Sequence, residues 1–140
     1  MNIIVCLDNN NGMLFNHRRQ SRDRELIARV KELTDGHRLW MNAYSARLFG
    51  ESVCIDESFI SQAEDGDYCF IENVPLPTEG IEQVIIYRWN RDYPADTYFD
   101  LDISRMELIS RYEFKGFSHD TITEEIYAQS TIEKSDMIFQ

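Results

Sequence analysis

Five residues near the start of the chain, IIVCL (3–7), form an unbroken apolar run closed by DNNNG. A short run of this kind, bounded by turn residues, reads as a buried strand followed by a loop. Comparable runs recur at RLWM (38–41), DYCFIEN (67–73) and QVIIYRW (83–89). Between the first two, Leu26, Ile27, Val30 and Leu33 fall on one helical face. Ser21 or Asp23 can cap the start of that helix and Gly36 suits its end. Asn42 is placed to cap a second helix over Ala43–Phe49. SVCID then reads as a short strand and ESFISQA as a short helix. Near the end, MELISRYEFKG and TITEEIYAQ alternate in polarity around FSHD, the mark of an antiparallel pair. The expected fold is therefore α/β: a mainly parallel sheet flanked by helices, with an antiparallel C-terminal hairpin.

With 140 residues, 43% of them hydrophobic, the chain suits one domain over 1–140. Within it, 130–140 (STIEKSDMIFQ) reads as a C-terminal extension. Its apolar cluster of Met137, Ile138 and Phe139 would dock on the core or on a partner, a second copy included. No apolar run approaches the ~20 residues needed to span a bilayer. MNIIVCLD has neither the basic region nor the cleavage site of a signal peptide. Cys6, Cys54 and Cys69 are odd in number and each lies in a strand-like run, as expected of reduced, buried thiols in a cytoplasmic protein.

The charge is divided. Residues 1–50 carry 8 Lys+Arg against 5 Asp+Glu, and 51–140 carry 6 against 20, for a net −11. So acidic a chain repels a phosphate backbone, which argues against nucleic-acid binding. His17, His37 and His119 lack metal-ligand spacing. Ser118-His119 falls in the expected hairpin turn, where hydrogen bonding within the turn is the simplest reading. In YRWNR (87–91) the aromatic residues are expected to face inward and the arginines to pair with carboxylates.

Ligands of open α/β sheets sit beyond the strand C-termini. Here those ends are LDNNN, WMNAYS and FIENV, which offer Asp8, Asn9, Asn10, Asn42, Tyr44, Ser45, Glu72 and Asn73. Amides predominate over carboxylates, so the crevice suits a neutral, polar ligand, planar or not, better than a metal.

Divided in this way, the chain resembles the dihydrofolate reductase family at both ends. MNIIVCLDNNNGMLFN is similar to that family's first strand and mobile loop, and LIARVKELTDGHRLWM to its first helix and second strand. ADTYFDLDISRMELISRYEF with SHDTITEEIYAQ resembles its Asp-Thr-x-Phe segment and final hairpin. The resemblance implies a dihydrofolate-reductase-like fold in which Cys6, Ile27, Val30 and Thr97 line the substrate side, with Asn10, Arg18 and Arg19 beside them. On the cofactor side it implies Asn42, Tyr44, Ser45 and Asn73.

The motifs for the family's chemistry differ. The pterin-binding carboxylate falls on Leu26, and Glu25, the one candidate acid, is turned ~100° away along a helix. Gly-Arg-x-Thr is replaced by Asn42-Ala43-Tyr44-Ser45, and the Gly-Gly pair by Glu72-Asn73, where Glu72 would repel a phosphate. The expectation is a protein that binds a polar heterocycle or nucleotide-like anion without standard NADPH-dependent reduction of dihydrofolate. A divergent NAD(P)H-dependent pterin or pyrimidine reductase and a non-catalytic scaffold remain the alternatives.

The basic run NHRRQSRDRE (16–25) has a place in that expectation. Arginine in the first turn of a helix opposes the macrodipole, so Arg18, Arg19, Arg22 and Arg24 point to an anionic ligand or an acidic partner surface, with a solvated face or internal salt bridges as the alternative.

Overall fold

Strand β1 (Asn2–Leu7) lies at the centre of the computed structural model, which describes residues 1–50 and 52–129. It runs parallel to β6 (Tyr68–Phe70) on one side and β7 (Gln83–Arg88) on the other. Ile3, Val5 and Leu7 face one buried cluster while Ile4 faces another. Both faces of the strand are thus covered, which is why its sequence is apolar without alternation.

The sheet extends outward through β4 (Leu39–Met41) to β5 (Cys54–Ile55), both parallel to β1. On the opposite flank, β10 (Ile122–Gln129) and β9 (Met106–Phe114) are antiparallel, giving the order β5-β4-β6-β1-β7-β10-β9. The expected parallel sheet with a terminal hairpin is what forms. Edge strand β9 carries a bulge: Ile126 pairs with Ser110 and Tyr127 with Leu108, so Ile109 is the extra residue. Bulges of this kind discourage edge-to-edge pairing.

Helix α1 (Arg24–Leu33) is capped by Asp23, which accepts from Glu25 N; Ser21, the other candidate cap, lies outside it. The helix ends at Thr34, two residues before the positive-φ Gly36. Leu26 and Val30 are buried, joining Ile4, Met41, Phe49 and Tyr87 in the cluster on this face of the sheet. Helix α2 (Ala43–Phe49) begins at Asn42, whose side chain accepts from Ser45 N. On the other face, α3 (Phe59–Gln62) contributes Phe59 to the second cluster.

A second, small sheet, β3-β2-β8, differs from the expected loop: it is made of β3 (Arg18–Arg19), β2 (Gly12–Phe15) and β8 (Thr97–Tyr98). Asn16 and His17 connect β2 to β3 with φ of 54° and 63°. Two positive φ values in a two-residue loop make a hairpin turn whose twist matches its strands.

The helical layer is tied to the hairpin through a buried charge. Glu124 is 1% exposed and accepts from Arg29 Nε at 2.8 Å, Arg29 Nη2 at 3.0 Å and Tyr87 Oη at 2.7 Å. Its hydrogen bonds hold the Arg29 guanidinium firmly charged. Burial, with Glu124 alongside, pushes the Tyr87 hydroxyl far above its ordinary range. Arg88 pairs with Glu125 at 2.8 Å, and Tyr87 and Trp89 are buried, as the alternation of YRWNR implies. The 130–140 extension, with Met137, Ile138 and Phe139, lies outside the described residues. Among those described, no helix is long and apolar enough to cross a membrane. Arg29→Ala should cost about 3 kcal/mol in urea denaturation, because the carboxylate it leaves behind stays buried. A loss below about 1 kcal/mol would mean that the pair behaves like an exposed one.

Candidate functional site

The hairpin of β2 and β3 carries Arg19 across the C-terminal edge of the parallel strands to Glu72. Nε and Nη2 of Arg19 donate to the two Glu72 oxygens at 2.9 and 3.0 Å. The same guanidinium donates to Tyr44 O at 3.2 Å and lies 4.2 Å from the centre of the Tyr44 ring. Tyr44 Oη accepts from Arg19 N at 3.0 Å, and Ser45 Oγ donates to Glu72 at 2.7 Å. Burial works against the Arg19 charge, but its bonds to Glu72 outweigh that and hold it above the ordinary arginine value.

Asn42, besides capping α2, donates from Nδ2 to Asn73 Oδ1 at 2.8 Å. Asn42, Tyr44, Ser45 and Asn73, expected on the cofactor side, are therefore brought together, but bonded to one another or to Arg19 and Glu72. The space beside them, bounded by Cys6, Arg19, Ser21, Ile71, Glu72 and Trp89, is a crevice of about 10 Å³. That is the room needed for about one water. Burial, reinforced by Glu72, pushes the Cys6 thiol well up, which disfavours the thiolate.

The other expected residues are dispersed. Asn10, Arg18 and Thr97 are exposed on the loop and the small sheet, and Thr97 Oγ1 donates to Asp96. Val30 is fully buried and Ile27 partly so. Leu26, at the position of the resembled carboxylate, is 1% exposed and packed in the core, while the Glu25 residue is exposed.

A larger cavity, about 400 Å³, opens between the start of α1, the end of α2 and the β9–β10 loop. Arg22, Arg24 and Arg47 line it together with Ile27, Leu48 and Phe117. The Arg24 guanidinium lies 3.7 Å from the centre of the Phe117 ring. Of the expected substrate-side residues only Ile27 reaches this space. Arg47 was not singled out by its sequence context, since an isolated arginine in a helix carries no local signal.

Asp23 joins the walls of this cavity. It accepts from Phe117 N and Ser118 N at 2.9 Å, from Glu25 N at 2.9 Å and contacts His119 Nδ1 at 2.8 Å. Burial pushes the Asp23 carboxyl up, but these hydrogen bonds outweigh it and hold it well below the usual carboxylate range. Gly116 makes the approach possible: a Cβ there would lie 2.7 Å from Asp23 Oδ2 and 2.6 Å from His119 O. His119 is buried, stacked on Trp89 with ring centres 4.6 Å apart.

No protein-family model matches the sequence, and no curated protein matches it. Solved structures do match. One is dihydrofolate reductase from Enterococcus faecalis, complexed with NADP(H) and RAB-propyl. It shares 12% identity over 91% of this chain and 95% of that one, with a TM-score of 0.65. The fold is that of dihydrofolate reductase. The resemblance at the two ends of the sequence thus extends through the middle of the chain at the level of architecture. Within this fold, the space at the C-terminal ends of β1 and β6 is occupied by the Arg19–Glu72 pair, and the arginine-lined cavity opens at the start of α1.

Because the Asp23 carboxyl is depressed in the folded protein, its contribution to stability is complete above the ordinary carboxylate pKa of about 4. That contribution is lost as pH falls below that value. Asp23→Asn should lower stability at pH 7 by about 2 kcal/mol, by leaving N–H groups of the loop poorly paired. It should also flatten the decline of the urea midpoint between pH 5 and pH 2 relative to wild type. Parallel declines would show that Asp23 is not the group responsible.

Proposed function

We propose that this protein binds an organic anion built on a polar heterocycle, nucleotide-like in character, and does not carry out standard NADPH-dependent dihydrofolate reduction. The arginine-lined cavity supports this reading. At about 400 Å³ it has the size of a small-molecule site, with apolar walls and a few charged groups at its rim. Arg22, Arg24 and Arg47 supply the charge, and Phe117 and Leu48 supply surface for a ring. In a chain of net charge −11, a concentration of arginine at one opening steers anions there rather than over the whole surface.

The cofactor side argues against NADPH. Glu72 presents a carboxylate where a phosphate would need bare backbone, and the donors around it are engaged. Nothing in the geometry favours the reductase alternative, since Leu26 provides no acid and the Glu25 side chain lies on the exposed face of α1.

Titration calorimetry with NADPH, folate and nucleoside monophosphates at low salt tests the reading. Binding of an anionic heterocycle is expected, weakened about tenfold by Arg22→Ala or Arg47→Ala and weakened again by added salt. Tight NADPH binding, or anion binding indifferent to both arginines, would reverse the conclusion.

A further inference from the structure

His119 is held as a base rather than merely packed. One ring nitrogen, Nδ1, faces the buried Asp23 carboxylate at 2.8 Å. The other, Nε2, lies 3.1 Å from Ser21 Oγ and 2.9 Å from Tyr93 Oη, and the two hydroxyls are 3.4 Å apart. An ionised Asp23 directs Nδ1–H toward itself and leaves the Nε2 lone pair for a hydroxyl. A histidine that only filled space would need one partner there, yet two converge. A hydroxyl on the free nitrogen of an imidazole whose other nitrogen is fixed by a carboxylate is the arrangement of an activated nucleophile.

We propose that Ser21 is a nucleophile for ester hydrolysis, with His119 as its general base and Asp23 as the positioning residue. The substrate class is an acyl ester whose alcohol portion is an organic anion, and that last element rests on the function proposed above. Ser21 Oγ attacks the acyl carbon and its proton passes to His119 Nε2. The ester C–O bond then breaks, and the same proton leaves with the alcohol. A water next attacks the acyl-Ser21 ester and gives a proton to His119. The carboxylic acid departs as Ser21 Oγ regains that proton. Ester and water are consumed, acid and alcohol are formed, and no oxidant or reductant is involved.

Ser21 is partly exposed, and the crevice of about 10 Å³ that it borders has room for about one water rather than for an acyl group. Gln20 also borders that crevice, and its Oε1 is buried with no hydrogen-bond donor against it. From Ser21 the chain passes directly to Arg22 and Asp23 on the wall of the larger cavity, where an anionic alcohol portion would lie. Sequence spacing conceals the group, because Ser21 and Asp23 are two residues apart while His119 is 96 residues beyond Asp23.

The test is labelling of the intact protein with an alkyl fluorophosphonate, read by intact mass and peptide mapping. The expected result is one adduct per chain, located at Ser21 and absent in Ser21→Ala. His119→Gln, with its fold checked by circular dichroism, should slow the labelling by about a hundredfold or more. No adduct on the folded wild type, an adduct on a different residue, or equal rates in His119→Gln would overturn the proposal. Labelling does not require the arginine cavity. An unlabelled protein that still binds anions removes only the nucleophile. A protein labelled at Ser21 that binds no anion keeps the nucleophile and removes the anionic portion of the substrate.

Discussion

The Asp23 carboxylate is the contact on which the rest of this site depends. It caps α1, takes the backbone N–H groups of Phe117 and Ser118, and fixes the His119 ring. Those partners come from opposite ends of the chain, so one side chain closes the end of the sheet against the first helix. Each acceptor lone pair is used, which makes burial of a charge tolerable there. The arginine-lined cavity is the gap left between the two elements that Asp23 joins. Its walls, Arg22 and Arg24 on one side and Phe117 on the other, are placed by that join.

The Arg19–Glu72 pair has a different consequence. A two-pronged ion pair in a half-buried place must offset the desolvation of both groups, and it does so here with help from Ser45 and Tyr44. Groups that neutralise one another cannot at the same time grip a ligand. The pair therefore leaves the crevice beside β1 with room for about one water, and the proposed anion site lies instead at the N-terminus of α1. NHRRQSRDRE divides accordingly: Arg19 points inward to Glu72, Arg22 and Arg24 line the cavity, and Arg18 is exposed on the small sheet.

Much of the scaffold was legible because its signals are local. The apolar run of β1, the helical face of α1, the Asn42 cap of α2 and the alternation of β9 and β10 each follow from residues within a few positions. The small sheet was not, since strands as short as Arg18–Arg19 and Thr97–Tyr98 carry no measurable period. The convergence of Asn42, Tyr44, Ser45 and Asn73 was legible for a topological reason: they follow the ends of adjacent parallel strands. What those groups bond to was not, because Arg19 and Glu72 are 53 positions apart and nothing local couples them. Ser118-His119 fell in a turn-like stretch, and its turn reading left out Asp23, Ser21 and Tyr93, which only the folded chain brings to the ring.

Whether the arginine-lined cavity takes the proposed ligand can be seen directly by nuclear magnetic resonance, mapping shifts of the labelled protein as a nucleoside monophosphate is added. Perturbations confined to Arg22, Arg24, Ile27, Leu48 and Phe117 are the expected result, with Cys6 and Ile71 unmoved. Perturbations centred on Cys6, Ile71 and Glu72, with the arginine cavity silent, would contradict it.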